Sequence, residues 1–109
     1  EVSLRQLTRD TATQLERLGP FGQGNPRPVF ATRGVRLATP PRRVGSKNDH
    51  LQFAITDNTA TIRCVAFRMA HIEKKLLEAD AFNIAYEVQL NAYNGNTTVE
   101  FIVLDVQFD

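Results

Sequence analysis

A chain of 109 residues with 42% hydrophobic content is sized and composed for one globular domain, not for a disordered tail. It has no apolar run near the roughly eighteen residues a membrane span needs. Its lone cysteine, Cys64, excludes an intramolecular disulfide and any Cys-rich metal site, and fits a reducing, cytoplasmic setting. Net charge is +1 but unevenly spread: residues 1–26 balance at zero, residues 27–68 carry eight basic against two acidic side chains, and residues 69–109 carry two basic against seven acidic. A basic middle beside an acidic end points to an anionic partner for one face, the alternative being an unevenly charged solvated surface.

The chain opens on EVSLRQL, with no initiator Met and no signal-peptide core, as expected of a piece cut from a longer protein. Leu4, Leu7, Thr11, Leu15 and Leu18 recur at helical spacing, which predicts an amphipathic helix over 3–18, ended by Gly19-Pro20. Next comes FGQGNPRPVF, residues 21–30. Loops that cradle phosphate run from a strand into a helix N-terminus, but here a helix precedes the loop and a strand follows it. Gly22-Gln23-Gly24 is therefore read as part of a stiff connector, with Asn25 held extended by Pro26. Residues 1–27 form this helix and connector, and residues 28–109 a separate barrel.

VFATRGVRLA (29–38) reads as the first strand. Pro40-Pro41 interrupts its ladder, and Val44 lies where the strand could resume after a bend. RRVGSKNDH (42–50) is a polar, basic loop. LQFAITD (51–57) alternates, and ATIRCVAF (60–67) forms a hairpin with it. The parity of that third strand is open: either Ile62, Cys64 and Ala66 or Arg63, Val65 and Phe67 face inward. Met69, Ile72 and Leu76 share the face of a helix over 69–79. FNIAYEVQL (82–90) alternates strictly, Asn94-Gly95 signals a type I′ hairpin, and TTVEFIVLDVQF (97–108) is the last strand. In that strand the apolar set moves from Val99, Phe101 and Val103 to Leu104, Val106 and Phe108, which predicts a bulge or burial on both faces. Five strands with a helix between the third and fourth predict an all-β, five-stranded OB-fold barrel, with the N-terminal helix packed on it. An SH3-like barrel lacks that helix, and a ferredoxin-like fold needs a helix after its first strand.

No convergent catalytic set is visible. His50 and His71 have no metal-ligating spacing, and no Walker or Gly-x-Ser-x-Gly motif is present. Asp57 reads as a turn residue and Cys64 as a buried strand residue. The binding case rests on the two loops and the strand 2–3 face that OB folds use. Arg42, Arg43, Lys47 and His50 lie in and beside the first loop, Gln52 and Arg63 on the strands, and Tyr93 and Asn94 at the second loop. Thr56 and Phe67 are further strand candidates. Cations track phosphates, and an aromatic face can stack a base. Five phosphate contacts on single-stranded DNA would give a salt slope of about −3.5.

LERLGPFGQGNPRPVF (15–30) resembles the segment that joins the DHHA1 domain to the C-terminal OB domain in RecJ-type single-stranded-DNA-specific exonucleases. The likeness continues through RGVRL (33–37), FAITDNTATIRCVAF (53–67), AYEVQLNAYNG (85–95) and VLDV (103–106). The resemblance implies a bacterial hydrolase that degrades single-stranded DNA 5′ to 3′ in recombination and repair. It also implies upstream DHH and DHHA1 domains that hold Mn2+ or Mg2+; their catalytic residues have no counterpart here. The OB domain would hold the DNA strand. The alternative is a module that closes a ring around the nuclease or docks a partner such as single-stranded-DNA-binding protein. An RNA- or tRNA-binding OB domain is a third reading. The chain departs from the family pattern at Arg27, where an acidic residue is common, and at Tyr93, where a Trp is common.

Overall fold

The computed structural model of the protein describes residues 3–5, 29–93 and 95–108; of residues 91–93, 96 and 97 it describes the backbone. Five strands occur in the order β1 (Val29–Val44), β2 (His50–Thr56), β3 (Thr61–Ala66), β4 (Phe82–Tyr93) and β5 (Asn96–Gln107). A 3₁₀ turn, Ala70–Ile72, leads into a short helix, α1 (Glu73–Glu78), between β3 and β4. The strands close a barrel in the order β1-β2-β3-β5-β4, and the β3–β5 seam is parallel. This is the OB arrangement the strand pattern predicts.

Closure depends on β1, which pairs with β4 through Val29–Val35 and with β2 through Arg36–Val44. A strand serving both neighbours must bend sharply. The register slips between Thr32 and Val35, where Gly34 adopts φ +70 and its N–H donates to Asn83 Oδ1 at 3.0 Å. Only a residue without Cβ takes that backbone freely. A second irregular stretch spans Leu37 to Arg42. Pro40-Pro41 bulges the strand without ending it, so β1 is longer than the 29–38 segment read from the sequence. Prolines are tolerated at a bulge because no ladder bond needs their missing N–H. Beside them the Thr39 hydroxyl accepts the Ala54 N–H at 3.0 Å and holds the two strands together.

The core is the inward parity of every strand. Leu51, Phe53 and Ile55 of β2, Ile62, Cys64 and Ala66 of β3, and Phe82, Ile84, Tyr86 and Val88 of β4 are all buried. This settles the parity of β3. An unpaired guanidinium inside the barrel would cost far more than leaving Val65 half-buried outside. Tyr86 is fully buried, stacked on Phe101 with ring centres 3.8 Å apart. Its hydroxyl shares a 2.7 Å hydrogen bond with Thr32 Oγ1. The parity change of β5 is a bulge: Ala85 pairs with Asp105 and Tyr86 with Val103, which leaves Leu104 as the extra residue, 45% exposed. Beyond it Val106 and Phe108 pack against the core, Phe108 on Phe82.

Ile72 and Leu76 are buried where α1 closes one end of the barrel, and the Ala70 N–H donates to the Asp49 carbonyl at 3.1 Å. Leu4 is buried in the same core, and its N–H donates to Asp57 Oδ2 at 2.8 Å, at the far end of β2. The predicted helix over 3–18 is therefore seen at Leu4 and Arg5, docked on the β2–β3 turn. Leu7, Leu15, Leu18 and the connector from Phe21 to Pro28 lie outside the described residues. Among the described residues, no helix is long and apolar enough to cross a membrane.

Candidate nucleic-acid interface

The outward parity of β1, β2 and β3 builds one continuous face. Arg42 pairs with Gln52, Gln52 with Val65, and Ala54 with Arg63, so these side chains stand in adjacent rows. Thr39, Pro40, Arg42, Gln52, Ala54 and Arg63 line a groove of about 330 Å³ on it. The proline bulge forms one wall. Arg42 Nη2 donates to Gln52 Oε1 at 3.4 Å, a long bond that leaves most of its five N–H donors open. Arg63 makes no hydrogen bond or ion pair with any described residue.

Arg42 and its neighbour point apart. Arg43 pairs with Leu51, in the inward parity, and at the barrel end it reaches α1, where Nε meets Glu73 Oε1 at 2.8 Å. That carboxylate draws it toward α1, and it does not line the groove. Lys47 is exposed in the β1–β2 loop, without a partner among the described residues.

His50 begins β2 and is built into the scaffold. Its Nδ1 accepts the Arg68 N–H at 2.8 Å, and since a backbone N–H can only donate, the ring proton sits on Nε2. Arg68 reaches this position at φ +59. Gly45, at φ +94, lies against the ring, where an added Cβ would come within 2.7 Å of Cδ2. The His50 and Phe67 rings meet edge to face, with centres 5.2 Å apart. Phe67 follows β3 in the outward parity of Arg63 and Val65 and is 54% exposed. It lies one residue past the end of β3, four positions along the chain from Arg63. Its ring is thus fixed from behind and open in front. Thr56 turns to its own hairpin, where its hydroxyl donates to the Ala60 carbonyl at 3.0 Å.

The β4–β5 hairpin is formed, Tyr93 pairing with Asn96 and Gly95 adopting φ +79. The Tyr93 side chain and Asn94 lie outside the described residues. The structure therefore gathers Arg42, Gln52 and Arg63, leaves the strand candidate Phe67 exposed beyond β3 and Lys47 exposed in the β1–β2 loop, and gives Arg43 and His50 other partners.

Two further groups are chemically quiet. Burial pushes the Cys64 thiol far up, with Glu100 adding to the shift. Burial also raises the Asp57 carboxyl, but hydrogen bonds from the Thr59 hydroxyl and the N–H groups of Leu4, Thr59 and Ala60 outweigh it and hold the pKa below 3.8. Among the described residues, no three His, Cys, Asp or Glu side chains converge on a possible metal site, so no metal role is assigned to them.

The RecJ OB domain family model matches residues 1–105. The chain is 21% identical over 102 residues to the single-stranded-DNA-specific exonuclease RecJ of Bacillus subtilis strain 168. It is 23% identical over 105 residues to that of Haemophilus influenzae. Each alignment covers 94% of this chain, but 13% and 18% of those proteins. Crystal structures of Thermus thermophilus RecJ in complex with Mn2+ and with Mg2+ match with TM-scores of 0.61 and 0.60 at 26% identity. Those matches cover 95% of this chain and 14% and 15% of the RecJ chains. The chain thus spans less than a fifth of the length of these relatives. With the family match running across both the Gly/Pro connector and the closed five-stranded barrel, the chain belongs to the RecJ OB domain family.

Proposed function

We propose that this chain binds single-stranded DNA for a RecJ-type 5′ to 3′ exonuclease acting in recombination and repair in the bacterial cytoplasm. The observation that carries the reading is the outward face of β1–β3, where Arg42, Gln52 and Arg63 line one groove, with the exposed ring of Phe67 just past the end of β3. Guanidinium groups hold phosphates, and a fixed aromatic ring stacks bases without reading them. In this reading Arg42 and Arg63 grip the backbone, Gln52 bonds to phosphate or base, Lys47 screens the strand from the loop, and Phe67 stacks one base. Hydrolysis belongs to DHH and DHHA1 domains upstream, where Mn2+ or Mg2+ would act.

Phe67→Ala tests the stacking role. Fluorescence anisotropy with labelled oligo-dT at low salt should show binding weakened by about 1–3 kcal/mol, roughly 5- to 150-fold. Unchanged affinity would remove Phe67 from the interface. Competition with RNA of matching sequence separates DNA from RNA binding. If wild type binds neither strand, the favoured role becomes ring closure or docking of a protein such as single-stranded-DNA-binding protein.

A further inference from the structure

A second hollow opens on the other side of Arg63, at the parallel seam between β3 and β5. Arg63 stands directly opposite Glu100 in the register, and below this pair the two strands part. Thr61, Arg63, Thr98, Val99 and Glu100 line a space of about 370 Å³, within the range of small-molecule pockets, about 300–1,000 Å³. Glu100 is 9% exposed, yet its carboxyl group has no hydrogen-bond or ion-pair partner among the described residues. No buried side-chain oxygen among the described residues lacks a partner, so the Glu100 oxygens open to solvent in the hollow, where a ligand that donates to them can reach both.

Resting on the single-stranded-DNA reading above, we propose that this pocket takes the Watson–Crick edge of one guanine from the bound strand. Guanine presents two adjacent donors, N1–H and the N2 amine, which suit the two carboxylate oxygens of Glu100. Its O6 then lies toward a donor, and Arg63 supplies one. The guanidinium carries five N–H groups, so one edge can hold a phosphate while another meets O6. Thymine offers one N–H between two carbonyl oxygens, and one of those would face the carboxylate. Adenine and cytosine each offer an amine beside an acceptor nitrogen, so neither fills both carboxylate oxygens. A base already outside a duplex enters such a pocket with little unstacking. The wall shared by the two hollows, Arg63, makes the base pocket continuous with the groove that tracks the backbone.

The test measures anisotropy of the chain with an all-dT oligonucleotide and with the same strand carrying one central dG, dA, dC or inosine. The single dG should tighten binding about tenfold over all-dT. Inosine, which lacks the N2 amine, should lose most of that gain; this arm needs no protein variant. Glu100→Gln, with folding checked by circular dichroism, should bring the ratio of dG to all-dT affinity close to one. Equal affinity for all strands, or a preference for dA or dC, overturns the pocket while leaving single-stranded-DNA binding intact. Failure to bind any strand overturns both.

Discussion

Asp57 joins two parts of the chain more than fifty residues apart. Its Oδ2 accepts the Leu4 N–H at 2.8 Å, and its Oδ1 accepts the Thr59 N–H at 2.9 Å in an Asx turn. The Arg5 N–H is taken by Thr59 Oγ1 at 3.3 Å, so two backbone donors at a helical start are capped by side chains of the β2–β3 turn. Asp57→Asn places an amide donor where an acceptor is needed and should destabilise the fold by about 1 kcal/mol. The pH dependence has a definite sign. The folded-state pKa lies below the ordinary 3.8, so the contribution is complete above 3.8 and is lost as pH falls through the folded value. In thermal melts the gap between wild type and Asp57→Asn should therefore narrow as pH is lowered below 3.8. A gap that stays constant with pH would contradict this role. In the core, burial raises the Tyr86 phenol pKa although the bond to Thr32 pulls it down. Tyr86→Phe orphans the Thr32 hydroxyl and should cost about 1–3 kcal/mol in chemical denaturation. Adding Thr32→Val should recover most of that loss, because both polar partners are then gone.

Among the elements, β1 decides the shape of the barrel. Its start, rich in β-forming residues, is visible in the sequence, and so is the pair of prolines, which argues against a continuous strand. The structure continues the strand through them because Thr39 supplies a side-chain acceptor to Ala54, a tertiary contact that no local pattern reveals. Thr39→Val keeps the shape, leaves that exposed N–H to water and should destabilise by about 0.5–1.5 kcal/mol in equilibrium unfolding, with the proline bulge loosened. The other strands and α1 are legible because strict alternation and the Met69–Ile72–Leu76 spacing match their burial. The bulge in β5 is legible for the same reason, since a parity change in an apolar run has few other causes. The candidate site is less so. Arg42 and Arg43 are neighbours in one basic run, and sequence reading treats them alike; strand parity sends one to the groove and the other to Glu73. His50 carries no local sign of its bond to Arg68, which depends on a left-handed residue eighteen positions away.

At the scale of the whole molecule, the basic middle of the chain becomes a surface smaller than its charge suggests. Of the bases in residues 42–63, Arg43 is paired with Glu73, which leaves Arg42, Lys47 and Arg63 for an anionic strand. Three phosphate contacts give a salt slope of about −2 for single-stranded DNA, shallower than five contacts would give. Acidic residues gather on β4, β5 and α1, so the charge of the barrel is uneven between its faces. The most direct test is the slope of log affinity against log salt for oligo-dT, compared among wild type, Arg42→Gln, Arg63→Gln and Arg43→Gln. The β1–β3 interface predicts a wild-type slope near −2, reduced by about 0.7 in Arg42→Gln and in Arg63→Gln and unchanged in Arg43→Gln. Equal losses in all three variants, or no salt-sensitive binding at all, would contradict it.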